Sequence, residues 1–291
     1  MGHHKRIAGL QLPEQPTLPF ASAQEYEDQV LSWAAEDLVH AKVRALRDVA
    51  YGTQLGQRYD VFLPPHVQGA PVLVFWHGGG WTNGYKEYVS FMAPAVTGLG
   101  MVLVAPGYRL APDHRLPAAC ADSLAALRTS MTQCARLGAD TGRIFLAGHS
   151  AGGHLAALLA LRHAGTGLAG IRACLPISGI MDLRHAAPEA GSLEERVYTM
   201  VLDRREDDLA HSPVHWAAAS TTAMHLSWGE HDSERVQRSN RELGALLAQA
   251  SAPHSMCMQP GLDHFSTHTC LRDPQAPWYG HLARLLKETA A

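Results

Sequence analysis

Six short apolar runs, at residues 72–76, 101–105, 144–147, 171–177, 224–228 and 255–259, recur along the chain, with helix-patterned segments at 118–137, 151–162, 233–249 and 278–288 between or after them. Continuous β-branched and aliphatic runs of this length, without polar alternation, belong to strands buried on both faces. Strands that alternate with helices build a mostly parallel sheet with right-handed crossovers and helices on both sides. The expected class is therefore α/β. A further run, residues 57–63, alternates and stops at Pro64 and Pro65, as an outer antiparallel strand does.

With 291 residues, 46% of them hydrophobic, the chain is long enough for one large core. Residues 22–48 place Tyr26, Val30, Trp33, Leu38, Val39, Val43 and Leu46 at helical spacing, which predicts one or two amphipathic helices. The organisation expected is an N-terminal helical extension over residues 1–50, acting as a cap or as packing, and a main domain over 51–291. That domain carries an insertion at 181–222, rich in charge at Glu194, Glu195 and 203–208. An insertion after a strand's carboxyl end falls on the face where α/β sheets hold ligands. It is either a lid over that face or a surface excursion with a solvated helix.

Charge excludes several partners. A net charge of −3 and a pI near 6.6 offer no basic surface for nucleic acid or an anionic membrane. No run approaches the roughly 18 apolar residues of a membrane span, and the first 20 residues lack the apolar core of a signal peptide; a cytoplasmic location is expected. The five cysteines, with no Cys-x-x-Cys pair, read as reduced thiols. The 18 histidines are scattered, without His-Glu-x-x-His, so no catalytic metal is expected, and the serine chemistry read below calls for no organic cofactor.

The chemistry lies at the ends of the apolar runs. Gly148-His149-Ser150-Ala151-Gly152 follows one run and opens a helix; a serine on so sharp a turn needs small flanking residues. The helix start aims unpaired N–H groups at the place where negative charge develops. His77-Gly78-Gly79-Gly80-Trp81 follows another run, and its glycines let backbone N–H groups approach an oxyanion, together with that of Ala151. A phosphate loop would continue with Lys and Ser or Thr, which Trp81-Thr82 does not supply. After residues 224–228 come Glu230 and Asp232. Asp232 is the carboxylate chosen to orient a base, with an N-cap role as its structural alternative and Glu230 as the second choice. His264, in the loop after the last run, is the expected base, ahead of His254, His268 and His281. Asp263 is set aside because adjacent side chains diverge. The order Ser150, Asp232, His264 is that of a serine hydrolase triad.

These motifs, with Gly107-Tyr108-Arg109-Leu110-Ala111-Pro112 and Asp263-His264-Phe265, resemble those of α/β-hydrolases of the hormone-sensitive-lipase-like and kynurenine-formamidase-like group, from about Tyr59 onward. The resemblance implies a serine carboxylesterase acting on small acyl esters, with Ser150 as nucleophile, His264 as base and Asp232 as acid. Gly79, Gly80 and Ala151 would hold the oxyanion. It also implies a small-molecule ester or amide as the partner and is compatible with a homodimer. His149 replaces the Asp usual in the esterases and looks like the formamidases, whereas Gly80 points back to the esterases. The alternatives are an arylformamidase and a non-catalytic ligand-binding homologue. His149 and Trp81 are expected at the substrate; Trp81, Tyr85, Tyr88 and Phe91 either line an acyl slot or pack inside.

Overall fold

The computed structural model describes residues 12–18, 20–40, 43–162 and 169–289. Its strands are β1 (Arg44–Ala50), β2 (Arg58–Leu63), β3 (Val72–Trp76), β4 (Val102–Pro106), β5 (Ile144–His149), β6 (Ile171–Ile177), β7 (Ala223–Gly229) and β8 (His254–Gln259). Its helices are α1 (Ala21–His40), α2 (Ala93–Gly98), α3 (Leu116–Arg136), α4 (Ala151–Arg162), α5 (Leu193–Arg196), α6 (Glu234–Gln249), α7 (Ser266–Thr269) and α8 (Pro277–Glu288).

The strands form one sheet in the order β1-β2-β4-β3-β5-β6-β7-β8. The β1–β2 and β2–β4 pairs are antiparallel, and every pair from β4 to β8 is parallel. Period-2 alternation sends successive strand residues to opposite sides. Val72, Val74, Ile144 and Leu146 pack on one side with Leu127 of α3, Leu155 of α4 and Leu243 of α6. Leu73, Phe75, Phe145 and Ala147 pack on the other with Leu31 of α1 and Leu282 of α8. Two apolar layers thus sandwich a sheet whose central strands are buried throughout, as their unbroken apolar runs require.

One expected element differs. The helical spacing read over residues 22–48 ends at His40, and the part from Arg44 is the edge strand β1. Its residues pair with β2 from Arg44 opposite Leu63 to Ala50 opposite Arg58, with a bulge between Leu46 and Val49. There Asp48 takes a φ of 55° and its N–H donates to Asp60 Oδ1 at 2.8 Å. Leu46 suits either a helix or a half-buried strand, and its pairing with Val61 of β2 decides for the strand. The 181–222 insertion holds α5, a π-helical turn at Val197–Val201 and 3-10 turns at Arg205–Asp207 and Pro213–Ala219.

Parallel strands point their carboxyl ends the same way. The loops after β3, β5, β7 and β8 therefore gather on one edge of the sheet, where α/β sheets bind ligands.

Candidate active site

Ser150 sits on the turn between β5 and α4 with a φ of 54°, a conformation that costs a non-glycine residue about 1–3 kcal/mol. The turn is fixed from both sides. Ser150 N–H donates to the Ile177 carbonyl, and its own carbonyl accepts from His154 N–H, both at 2.9 Å. The flanking glycines are obligatory: a Cβ on Gly152 would lie 2.1 Å from the Trp76 carbonyl oxygen, and one on Gly148 would lie 2.4 Å from the Gly152 backbone. The tightness that excludes side chains presses the start of α4 against the end of β3.

His264 reaches Ser150 from the turn after β8. Its Nε2 is 2.9 Å from Ser150 Oγ, and its Nδ1 is 2.6 Å from Asp232 Oδ1. Asp232 Oδ2 accepts from Gly229 N–H at 2.8 Å and from Ser178 Oγ at 2.6 Å. Burial alone would raise the Asp232 pKa, but the bonds from His264, Ser178 and Gly229 outweigh it and hold the carboxyl below its usual range. An ionised carboxylate only accepts, so Nδ1 of His264 carries the proton and Nε2 is free to accept from the Ser150 hydroxyl. The Asp232 side chain is shut off from solvent while that of His264 is 29% exposed. The N-cap alternative for Asp232 falls to its neighbour, since Ser233 Oγ accepts from Val236 N–H at 3.3 Å. Glu230 instead accepts from Gly261 N–H at 2.8 Å, and Asp263 accepts from the N–H groups of Phe265 and Ser266.

The glycine loop after β3 folds back beside the serine. Gly79 and Gly80 take φ of 119° and 62°, and Trp81 follows at 61°. Gly79 leaves no room for a side chain, since a Cβ there would lie 2.0 Å from the Asn83 carbonyl oxygen, and one on Gly78 would stand 3.2 Å from Ser150 Cβ. Thr82 and Asn83 N–H groups close the loop on the Gly79 carbonyl at 3.2 and 2.9 Å. The N–H groups of Gly79, Gly80 and Ala151 donate to no other described residue. Behind the loop, Tyr108 stacks on His77 with centroids 4.4 Å apart and donates to the His77 carbonyl at 3.0 Å. Arg109 grips Asp122 with two side-chain bonds of 2.8 Å, a structural role for the Tyr108-Arg109 pair.

His149 and Trp81 lie elsewhere than expected. Each is 1% exposed. His149 Nε2 donates to the His264 carbonyl at 2.7 Å, and its ring stacks on His268 at 4.9 Å. Burial pushes its pKa well below the usual range, so the ring is neutral. Trp81 packs edge-on against His154 at 5.0 Å. Both rings are core packing beneath the site, because β5 and the glycine loop turn them inward. Tyr88 and Phe91 are buried as well.

Three neighbours of the site escape sequence reasoning. Ser178 supports Asp232, and Thr267 Oγ1 donates to the His264 carbonyl at 2.7 Å. Tyr26 of α1 shares a 2.7 Å hydrogen bond with His268 Nδ1 and stacks on Phe265 at 5.0 Å. Only Ser178 carried a signal, as a hydroxyl directly after an apolar strand. No group of three or more His, Cys, Asp or Glu able to hold a metal ion occurs among the described residues, and no helix among them is long and apolar enough to cross a membrane. A surface groove of about 510 Å³ between the insertion and α6, lined by Arg184, Val214, His215, Glu242 and Leu246, shares no residue with the Ser150 cluster.

A family model described as the alpha/beta hydrolase fold matches residues 73–265. The chain belongs to the α/β-hydrolase family. Among curated relatives of this α/β-hydrolase, carboxylesterase NlhH of Mycobacterium tuberculosis is 44% identical over 116 residues, covering 39% of this chain and 36% of the relative. Kynurenine formamidase of Danio rerio is 30% identical over 141 residues, covering 43% of this chain and 47% of the relative. The matched stretches thus span between about a third and a half of those relatives' length. Among solved structures, one described as a putative thioesterase from Silicibacter is 25% identical, with a TM-score of 0.73 over 92% of this chain and 95% of its own. An esterase from Pyrobaculum calidifontis is 21% identical, with a TM-score of 0.74 over 94% and 96%, a likeness of fold.

Proposed function

We propose that this α/β-hydrolase is a serine carboxylesterase that cleaves small acyl esters through an acyl-enzyme. One observation carries the reading: Ser150 Oγ, the His264 imidazole and the Asp232 carboxylate are linked by bonds of 2.9 and 2.6 Å at the mouth of the sheet, beside three N–H groups that donate to no other described residue. In the proposed reaction, Ser150 Oγ attacks the ester carbonyl carbon while its proton passes to His264 Nε2. Asp232 holds the ring in the right tautomer and stabilises the imidazolium. The N–H groups of Gly79, Gly80 and Ala151 take the oxyanion, a contribution of about 3 kcal/mol for each donor at comparable sites. The alcohol leaves with the proton from His264, and water then attacks the acyl-enzyme by the same route in reverse. The carboxylesterase relative supports this reading through the shared stretch.

A second reading, hydrolysis of an N-formyl amide, is favoured by one specific observation, the match to a kynurenine formamidase. Both use the same serine chemistry and differ in acyl and leaving group. Turnover of acetyl and butyryl p-nitrophenyl esters against N-formylkynurenine separates them. The esterase reading expects both esters to be cleaved by the wild type and neither by Ser150→Ala. Exclusive cleavage of the formamide would replace it with the second reading. We also place the N-terminal extension and the 181–222 insertion around the site as its walls, because Tyr26 packs against Phe265 and Leu193 borders Gly80.

A further inference from the structure

The insertion meets the glycine loop through two side chains of α5. The position that a Cβ would take on Gly80 lies 3.9 Å from Leu193 Cδ1 and 3.9 Å from Thr82 Oγ1. Arg196 Nη2 donates to that same Thr82 Oγ1 at 3.2 Å. The guanidinium therefore stands next to the loop proposed to hold the oxyanion.

The segment that carries it is anchored at both ends. Glu194 pairs with Arg235 Nη1 of α6 at 3.3 Å. Beyond α5, Arg115 donates to the carbonyls of Thr199 and Leu202. Ser192 Oγ accepts from Glu195 N–H at 3.1 Å, fixing the start of α5. These contacts hold the backbone on either side of Arg196.

The carboxylates nearest to Arg196 in sequence are committed elsewhere. Glu194 faces Arg235, and Glu195 Oε2 accepts from Gly191 N–H at 2.6 Å. Among the described residues Arg196 pairs with no carboxylate, although it is half-buried, and its side chain donates to a neutral hydroxyl, that of Thr82. A guanidinium partly removed from water gains most from an anion that takes two of its N–H groups side by side. Most of its donors remain for such a group.

We infer that Arg196 binds an anionic group of the substrate, so that the ester or amide taken by this site carries a carboxylate close to its reacting carbonyl. This deepens, and rests on, the hydrolase reading. The carboxylate can belong to the acyl part or to the leaving group, and two probe pairs separate the sources: monomethyl glutarate against methyl butyrate for the acyl side, O-acetylglycolate against ethyl acetate for the leaving side.

The test compares kcat/KM for each pair, followed by titration of released acid, in the wild type, Arg196→Gln and Arg196→Lys. Expected is a preference of about tenfold or more for the anionic member of one pair, which collapses in Arg196→Gln and is partly kept in Arg196→Lys. Monomethyl glutarate and O-acetylglycolate are each titrated into Ser150→Ala by calorimetry, and binding of at least one should be saturable and lost in the Ser150→Ala, Arg196→Gln double variant. A structural tether between the insertion and the loop would instead lower both members of a pair alike. That outcome, an unchanged ratio, or equal binding with and without Arg196 overturns the inference. Calorimetry on the Ser150→Ala protein needs no turnover, so it decides the role of Arg196 even if the hydrolase reading fails, and that reading is tested separately by cleavage of the neutral esters.

Discussion

At the scale of single residues, Asp232 accounts for much of the geometry. It is buried, it accepts three hydrogen bonds, and one of them fixes His264 Nδ1. Asp232→Asn should lower kcat by about 10³- to 10⁴-fold with the fold intact, because the amide favours the wrong imidazole tautomer; steady-state kinetics with a circular dichroism control check this. Ser178→Ala should reduce stability by about 1.5–3 kcal/mol in urea unfolding, since it removes a hydrogen bond to a buried charge. His149→Ala releases the His264 carbonyl from a 2.7 Å bond; kcat should fall about tenfold or more while KM holds. The meeting of Ser150, Asp232 and His264 is legible in the sequence because each follows an apolar strand, and parallel strands end on one edge of the sheet. Ser178 and Thr267 are less so. A hydroxyl's partner is set by which strand ends meet, and no local pattern encodes that.

At the scale of elements, the strand–turn–helix of β5 and α4 is readable because its glycines are steric necessities. Gly152→Ala would drive a Cβ to within 2.1 Å of the Trp76 carbonyl oxygen, against a backbone that cannot yield. The variant should lose several kcal/mol of stability or fail to accumulate as folded protein; a thermal midpoint equal to that of the wild type would count against this packing. The amino-terminal region was harder to read. Leu46 satisfies a helical period, yet hydrogen bonding to β2 makes the stretch from Arg44 a strand. Its bulge at Asp48 is held by the Asp60 carboxylate, a contact between residues 12 positions apart. The inward turn of His149 and Trp81 was equally hidden, since it depends on packing against His268 and His154.

At the scale of the whole molecule, neutral buried histidines tie stability to pH. Burial lowers His77 to about 4 and His154, His225 and His268 to about 3. In the unfolded chain these rings titrate near 6.5. Between that value and the folded values the unfolded state binds more protons, so stability is fully present above about pH 6.5 and is lost as pH falls. Each histidine adds up to about 1.4 kcal/mol per pH unit. The urea midpoint should therefore drop clearly from pH 7.5 to pH 5, and equal midpoints would contradict the burial of these rings. The parallel order of β3 to β8 was legible from alternating strands and helices, whereas the β1-β2-β4 edge depends on pairing that local patterns do not carry. The parallel part carries the loops that bring Ser150 Oγ within 2.9 Å of His264 Nε2. The most direct measurement is the mass of the intact protein after treatment with a fluorophosphonate. The wild type should gain one adduct, mapped by peptide sequencing to Ser150, while Ser150→Ala gains none; an unmodified wild type, or an equal adduct on the variant, would contradict Ser150 as the nucleophile.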